Sequence, residues 1–134
     1  MFFTMIVDKQ YYIGYNNIQR QEVHYMFTVN TALLDAFVLA ILSKGDTYGY
    51  ALTQEVRAKI DVSESTLYPV LRRLQKGGFL DTYDEPYMGR NRRYYKLTAQ
   101  GAEQIETYRQ EWLEYKKKVD SVLLKERKKG NDKK

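Results

Sequence analysis

Between residue 30 and residue 127, apolar residues recur at helical spacing in four stretches, broken once by a pair of strand-like runs. The first stretch can be capped by Asn30 or Thr31 and reaches about Ser43, with Leu33, Leu34, Phe37, Val38, Ile41 and Leu42 as its main apolar positions. Ala32, Ala36, Leu39 and Ala40 fill the other sides. This helix is therefore apolar nearly all round and calls for cover on two sides. The domain core supplies one cover, and a second chain is the simplest source of the other. Gly45-Asp46 breaks the chain, and Asp46 or Thr47 is expected to cap a second helix from Tyr48 to about Ile60, with Leu52, Val56 and Ile60 as its buried stripe. Gly49 lowers helix propensity in the first turn and is expected to admit another backbone.

The third stretch carries the clearest signal. Leu67, Val70, Leu71 and Leu74 make one apolar stripe, small hydroxyl residues open the helix near Ser63–Ser65, and Gly77-Gly78 closes it. Pro69 is tolerable only near a helix start, which fixes that start. The opposite face presents Ser65, Pro69, Arg72 and Lys76, with Tyr68 on one flank and Arg73 on the other. Short hydroxyls near the N-terminus and cations further along suit a helix that enters the major groove of DNA. An ordinary solvated basic face would look the same in isolation, so its neighbours matter.

Those neighbours are a supporting helix before it and a basic hairpin after it. Phe79–Asp84 and Arg92–Leu97 have strand composition, and Glu85–Asn91 reads as the loop between them. Arg90, Arg92, Arg93 and Lys96 cluster here, as in a wing. A solubilising edge hairpin is the alternative, disfavoured because the returning strand is charged with one sign. Thr98 then caps a helix from about Ala99 to Arg127. Ile105, Trp112 and Val119 fall seven apart, as do Tyr108, Tyr115 and Val122, which makes an a/d seam suited to a partner chain. The expected fold is mainly α with a small β-hairpin: a winged helix-turn-helix over residues 29–97, a dimerisation helix over 98–127 and a charged tail over 128–134.

Composition sharpens this picture. The net charge of +5 favours an anionic partner. Cysteine is absent, which excludes disulfides and thiolate chemistry. No apolar run approaches membrane-spanning length. The only histidine, His24, lies in the N-terminal extension, and no metal-ligand spacing, phosphate-binding glycine loop or shared acid pair is present. The chain thus reads as a protein without catalytic residues, metal or cofactor, located in the cytoplasm. Residues 1–28 have neither the strand nor the helix period and lack the marks of a signal peptide. Their back-translation permits promoter hexamers across Val7–Lys9 and Tyr15-Asn16 and a ribosome-binding sequence across Gln21–Val23. The expectation is that residues 1–25 are translated upstream DNA and that initiation falls at Met26. A genuine N-terminal arm is the alternative.

Three pieces of the chain resemble the PadR family of bacterial transcriptional regulators, in its small form with a single C-terminal helix. They are Gly45-Asp46-Thr47-Tyr48-Gly49-Tyr50, the run from Ser65 to Leu74, and the run from Gly89 to Gly101, within a match over roughly residues 30–125. The resemblance implies a winged-helix homodimer that binds operator DNA, usually as a repressor. It also implies that the last helix packs on the first helix of the partner. Some small members are drug sensors in which a tryptophan of that helix lines an apolar pore, and Trp112 occupies the corresponding place.

Ser63, Ser65, Thr66, Tyr68 and Arg72 are accordingly the candidates for groove and nearby phosphate contacts, and Lys76, Arg90, Arg92 and Arg93 for phosphate. On this reading Arg92→Ala would remove about one phosphate's worth of salt dependence. A double-stranded operator with half-sites about one helical turn apart follows from two-fold symmetry. The alternative function is a sensor of small aromatic ligands or drugs, with Tyr108, Trp112 and Tyr115 stacking on a planar apolar molecule at the dimer interface and so controlling DNA binding.

Overall fold

The computed structural model describes residue 27 and residues 29–125. The expected extension over 1–28, residue 27 aside, and the tail over 128–134 lie outside them. All described elements belong to the second of the chain's two units, Thr31–Lys134. They are α1 (Thr31–Leu42), β1 (Thr47–Tyr48), α2 (Gly49–Arg57), α3 (Glu64–Lys76), β2 (Leu80–Tyr87), β3 (Arg90–Leu97) and α4 (Ala99–Leu123). The strands form one antiparallel sheet in the order β1-β3-β2, so the hairpin expected from the sequence gains a third, two-residue strand.

The core is a set of leucines and valines delivered by every layer. Val38 and Leu39 of α1, Leu52 and Val56 of α2, Leu67 and Leu71 of α3, and Leu80 of β2 are almost wholly buried. On α1 the buried line is Leu34, Val38, Leu39 and Leu42, while Leu33, Phe37 and Ile41 remain half-exposed. Leu39, expected as filler, is thus central, and one apolar flank of α1 is left partly uncovered.

Several boundaries differ from the sequence reading. Helix α2 ends at Arg57 rather than near Ile60, and Ile60 is half-exposed beyond it. Thr47-Tyr48 does not open a helix. It pairs with Tyr94-Tyr95 of β3, and Tyr48 precedes α2 without a side-chain cap bond. Asp46 instead accepts from the Tyr83 hydroxyl at 2.7 Å. Gly49 makes room for rings rather than for backbone: a Cβ there would lie 3.4 Å from the Tyr95 ring and 3.8 Å from that of Tyr68. The hairpin is also longer than expected. Glu85, Pro86, Tyr87, Arg90 and Asn91 are all in the ladder, and the turn is only Met88-Gly89. Both turn residues have positive φ, 49° and 79°, as a two-residue type I′ connection requires. Pro86 is accommodated because β2 is an edge strand and the pair next to the Tyr87–Arg90 closing pair is non-hydrogen-bonded.

Candidate nucleic-acid interface

Helix α3 forms with the stripe its spacing predicts: Leu67, Val70, Leu71 and Leu74 are its buried residues. Ser63 is the N-cap and accepts the Thr66 N–H at 3.2 Å. Its Oγ also lies 3.0 Å from both Ser65 Oγ and Thr66 Oγ1. The Ser63 hydroxyl is therefore occupied by the cap, and Ser65 and Thr66 are the exposed hydroxyls beside it. Gly78 at φ +86° ends the helix with Phe79 N–H on the Leu74 carbonyl at 2.9 Å and Gly78 N–H on the Gln75 carbonyl at 3.0 Å, a Schellman closure. Pro69 lies inside the helix, one turn beyond its start. It offers no N–H to the Ser65 carbonyl, and the helix starts where the sequence places it, just after Ser63.

Ser65, Thr66, Pro69, Arg72 and Lys76 are all exposed, and Tyr68 is half-buried. Arg72 and Lys76 form no ion pair with another described residue. Arg73, on the flank, is different. Its Nη1 and Nη2 donate to the two Asp35 oxygens at 3.0 and 2.8 Å, and the Tyr108 hydroxyl lies 3.4 Å from Asp35 Oδ2. Asp35 is buried, so this fork ties α1, α3 and α4 at one carboxylate. The Asp35 bond is also the main reason the Arg73 guanidinium holds its proton more firmly than usual. In the sequence the only signal of this role is that Asp35 is the lone acid within the apolar Thr31–Leu42 run.

The wing sorts its arginines by parity. Successive residues of a strand point to opposite faces. Arg93 and Tyr95 lie on the face that continues the core, and Arg92 and Tyr94 on the other. Arg93 Nε reaches Asp84 at 3.3 Å across the ladder, with both side chains exposed. Burial raises the pKa of the Tyr95 hydroxyl, while the nearby charges of Arg93 and Arg72 oppose that rise. Arg90, next to the turn, is exposed and unpaired among the described residues. Arg92 is half-buried, with its Cζ 3.7 Å from the Tyr48 ring centroid and 3.5 Å from that of Tyr87. On the same face the Tyr83 and Tyr94 rings stack at 5.4 Å and Tyr48 meets Tyr94 edge-on at 5.8 Å. The hydrogen bond to Asp46 is the main cause that pushes the pKa of Tyr83 up to about 12.

Helix α4 begins at a cap made by Thr98, whose Oγ1 accepts from Gly101 N–H at 2.9 Å and donates to the Gly78 carbonyl at 2.8 Å. Gly101 and Ile105 are its only buried residues. Of the expected stacking residues, Trp112 and Tyr115 are exposed with ring centroids 6.3 Å apart, whereas Tyr108 is half-buried and turned to Asp35. Among the described residues no acid or histidine cluster could hold a metal ion, and no helix is long and apolar enough to cross a membrane.

The chain matches the model of the "Transcriptional regulator PadR-like family" over residues 38–107, just over half its length. A protein of Streptococcus mutans of known crystal structure is 36% identical, with a TM-score of 0.70 over 78% of this chain and 98% of the other. A PadR family transcription regulator of Clostridium difficile is 33% identical, with a TM-score of 0.60 over 69% and 98%. A PadR-like transcriptional regulator of Bacillus cereus is 32% identical, with a TM-score of 0.65 over 71% and 95%. An uncharacterized Lysinibacillus sphaericus protein is 32% identical over 95 residues, 67% of this chain and 87% of its own. With its winged helix and this match, the chain belongs to the PadR-like family of transcriptional regulators.

Proposed function

We propose that this PadR-like regulator acts in the cytoplasm as a homodimeric repressor, with α3 in the major groove and the wing beside it. The observation that carries the reading is the outer surface of α3. Ser65, Thr66, Arg72 and Lys76 stand exposed there with the half-buried Tyr68 on the flank, and among the described residues neither Arg72 nor Lys76 has an ion-pair partner. Ser65, Thr66, Tyr68 and Arg72 are the groove contacts. Lys76, Arg90 and Arg93 meet phosphate, and Ser63 serves as the cap that points the helix. Dimerisation is supported by α4. Beyond Tyr108 it carries Trp112, Leu113, Tyr115, Val122 and Leu123 exposed, an apolar surface that one chain leaves bare. The half-exposed Leu33, Phe37 and Ile41 of α1 offer a partner helix a matching surface.

Binding of duplex DNA across a salt series tests this. Arg93→Ala is expected to weaken binding to all sequences and to lower the slope of log K against log salt by about one. The wild-type protein is expected to sediment as two chains and to protect two half-sites about one helical turn apart. A single chain at micromolar concentration without duplex preference refutes the reading.

A second reading, ligand control, is favoured by the exposed Trp112–Tyr115 pair, which leaves aromatic faces free for a planar apolar molecule. Trp112 is the only tryptophan, so its fluorescence reports the site directly. Quenching by planar ligands with parallel loss of operator binding supports a sensor. Quenching without that loss makes the ligand incidental.

A further inference from the structure

We propose that Arg92 is a positioning residue of the wing: its guanidinium, clasped between the Tyr48 and Tyr87 rings, anchors the outer half of the hairpin to the start of α2. This rests on the DNA-binding reading above and changes what one of its arginines does.

Three observations carry it. First, Arg92 lies on the sheet face opposite Arg93 and the buried Tyr95, away from the core. Second, both flat faces of its guanidinium are covered, at 3.7 and 3.5 Å from two ring centroids, and the residue is half-buried while Arg90 and Arg93 are exposed. Third, every residue from Tyr83 to Asn91 is exposed, so Arg92 is the covered position nearest the turn. No core side chain holds the hairpin beyond it. The two rings come from different strands, Tyr48 from β1 and Tyr87 from β2, so the stack crosses the whole sheet at its outer end. Tyr48 is also the residue from which α2 departs.

Arginine suits this place and lysine does not. A guanidinium is planar and weakly hydrated and stacks on two rings at once, whereas an ammonium is a compact, strongly hydrated charge. If Arg92 served only as a charge near phosphate, lysine would replace it.

The test compares Arg92→Lys, Arg92→Ala and Tyr87→Leu with wild type, in two measurements. In the free protein, NMR of wild type is expected to place the Arg92 δ-methylene protons well upfield through the two ring currents, and Tyr87→Leu to move them back toward the ordinary position. In DNA binding, Arg92→Lys and Tyr87→Leu are each expected to lose affinity by about fivefold, the scale of a partly exposed cation–π contact. Their slopes of log K against log salt are expected to stay at the wild-type value. Ordinary δ-methylene shifts in the wild type overturn the proposal. So does an Arg92→Lys protein that binds as wild type while Arg92→Ala loses about one phosphate's worth of slope. A wild-type protein with no duplex preference overturns the DNA reading itself, and an upfield-shifted Arg92 then shows that the stack exists without that role.

Discussion

Replacing Arg73 by methionine is expected to destabilise the protein by about 3 kcal/mol, while Asp35→Asn costs about 1 kcal/mol. The asymmetry follows from where each charge sits. The Asp35 side chain is 9% exposed, whereas that of Arg73 is 46% exposed. Without Arg73 the carboxylate keeps only the Tyr108 hydroxyl at 3.4 Å, and a buried charge without its partner is costly. Without the carboxylate, Arg73 turns its guanidinium to water at little cost. For a domain of about this size the Arg73→Met change corresponds to a fall of roughly 10–20 °C in Tm. Urea unfolding followed by Trp112 fluorescence measures both variants. Equal losses, or a larger loss for Asp35→Asn, would show that the carboxylate is not held as the geometry says.

The same pair bears on function. Counted along the sequence, Arg73 belongs to the basic surface of α3, yet its charge is spent on Asp35. Arg73→Met, where it folds, is therefore expected to leave the salt slope of DNA binding unchanged. The double change Asp35→Leu with Arg73→Met is expected to recover much of the lost stability, because a buried ion pair is often matched by apolar residues of similar size.

What was legible in the sequence follows from which interactions are local. The α3 stripe of Leu67, Val70, Leu71 and Leu74, its serine cap and its glycine stop depend on residues a few positions apart, and all formed as the spacing implies. Thr98 as the cap of α4 is equally local. The start of α2 is not legible locally, because the fate of Thr47-Tyr48 is decided by Tyr94-Tyr95, almost fifty residues later. Asp46 looked like a cap and became a partner for Tyr83 instead. The hairpin looks shorter in the sequence than it is because Pro86, Gly89 and Asn91 are turn formers by composition, whereas the turn that closes it is Met88-Gly89 alone. Asp35 gives no sign of its partner in the sequence, because a single acid on a helix usually faces water and only the fold brings Arg73 to it. The opposite facing of Arg92 and Arg93 was available from strand parity alone. The rings that clasp Arg92 were not, since they reach it diagonally from two other strands.

Gly101→Ala is expected to cost about 3 kcal/mol or more, the reverse of the usual gain from alanine in a helix. A Cβ at this position would overlap the Phe79 carbonyl oxygen and lie 2.7 Å from Leu97 Cδ1. The oxygen cannot simply move aside, because it accepts the Thr98 N–H at 3.2 Å. Thr98 in turn holds the Gly78 carbonyl and the Gly101 N–H, so the end of α3, the end of β3 and the start of α4 meet within a few residues. Relief of the overlap has to come from tilting α4. That helix has 25 residues, about 37 Å of lever, so a tilt of about 10° carries its far end by roughly 6 Å. In the proposed dimer this displacement changes the distance between the two α3 helices. Gly101→Ala is therefore expected to lower both Tm and affinity for a two-half-site operator, and to leave binding to a single half-site less affected. Gln104→Ala, one turn on and outside the junction, is the control expected to remain near wild type. A Gly101→Ala protein that melts at or above the wild-type temperature would show that the backbone of α4 does not approach Phe79 as closely as described.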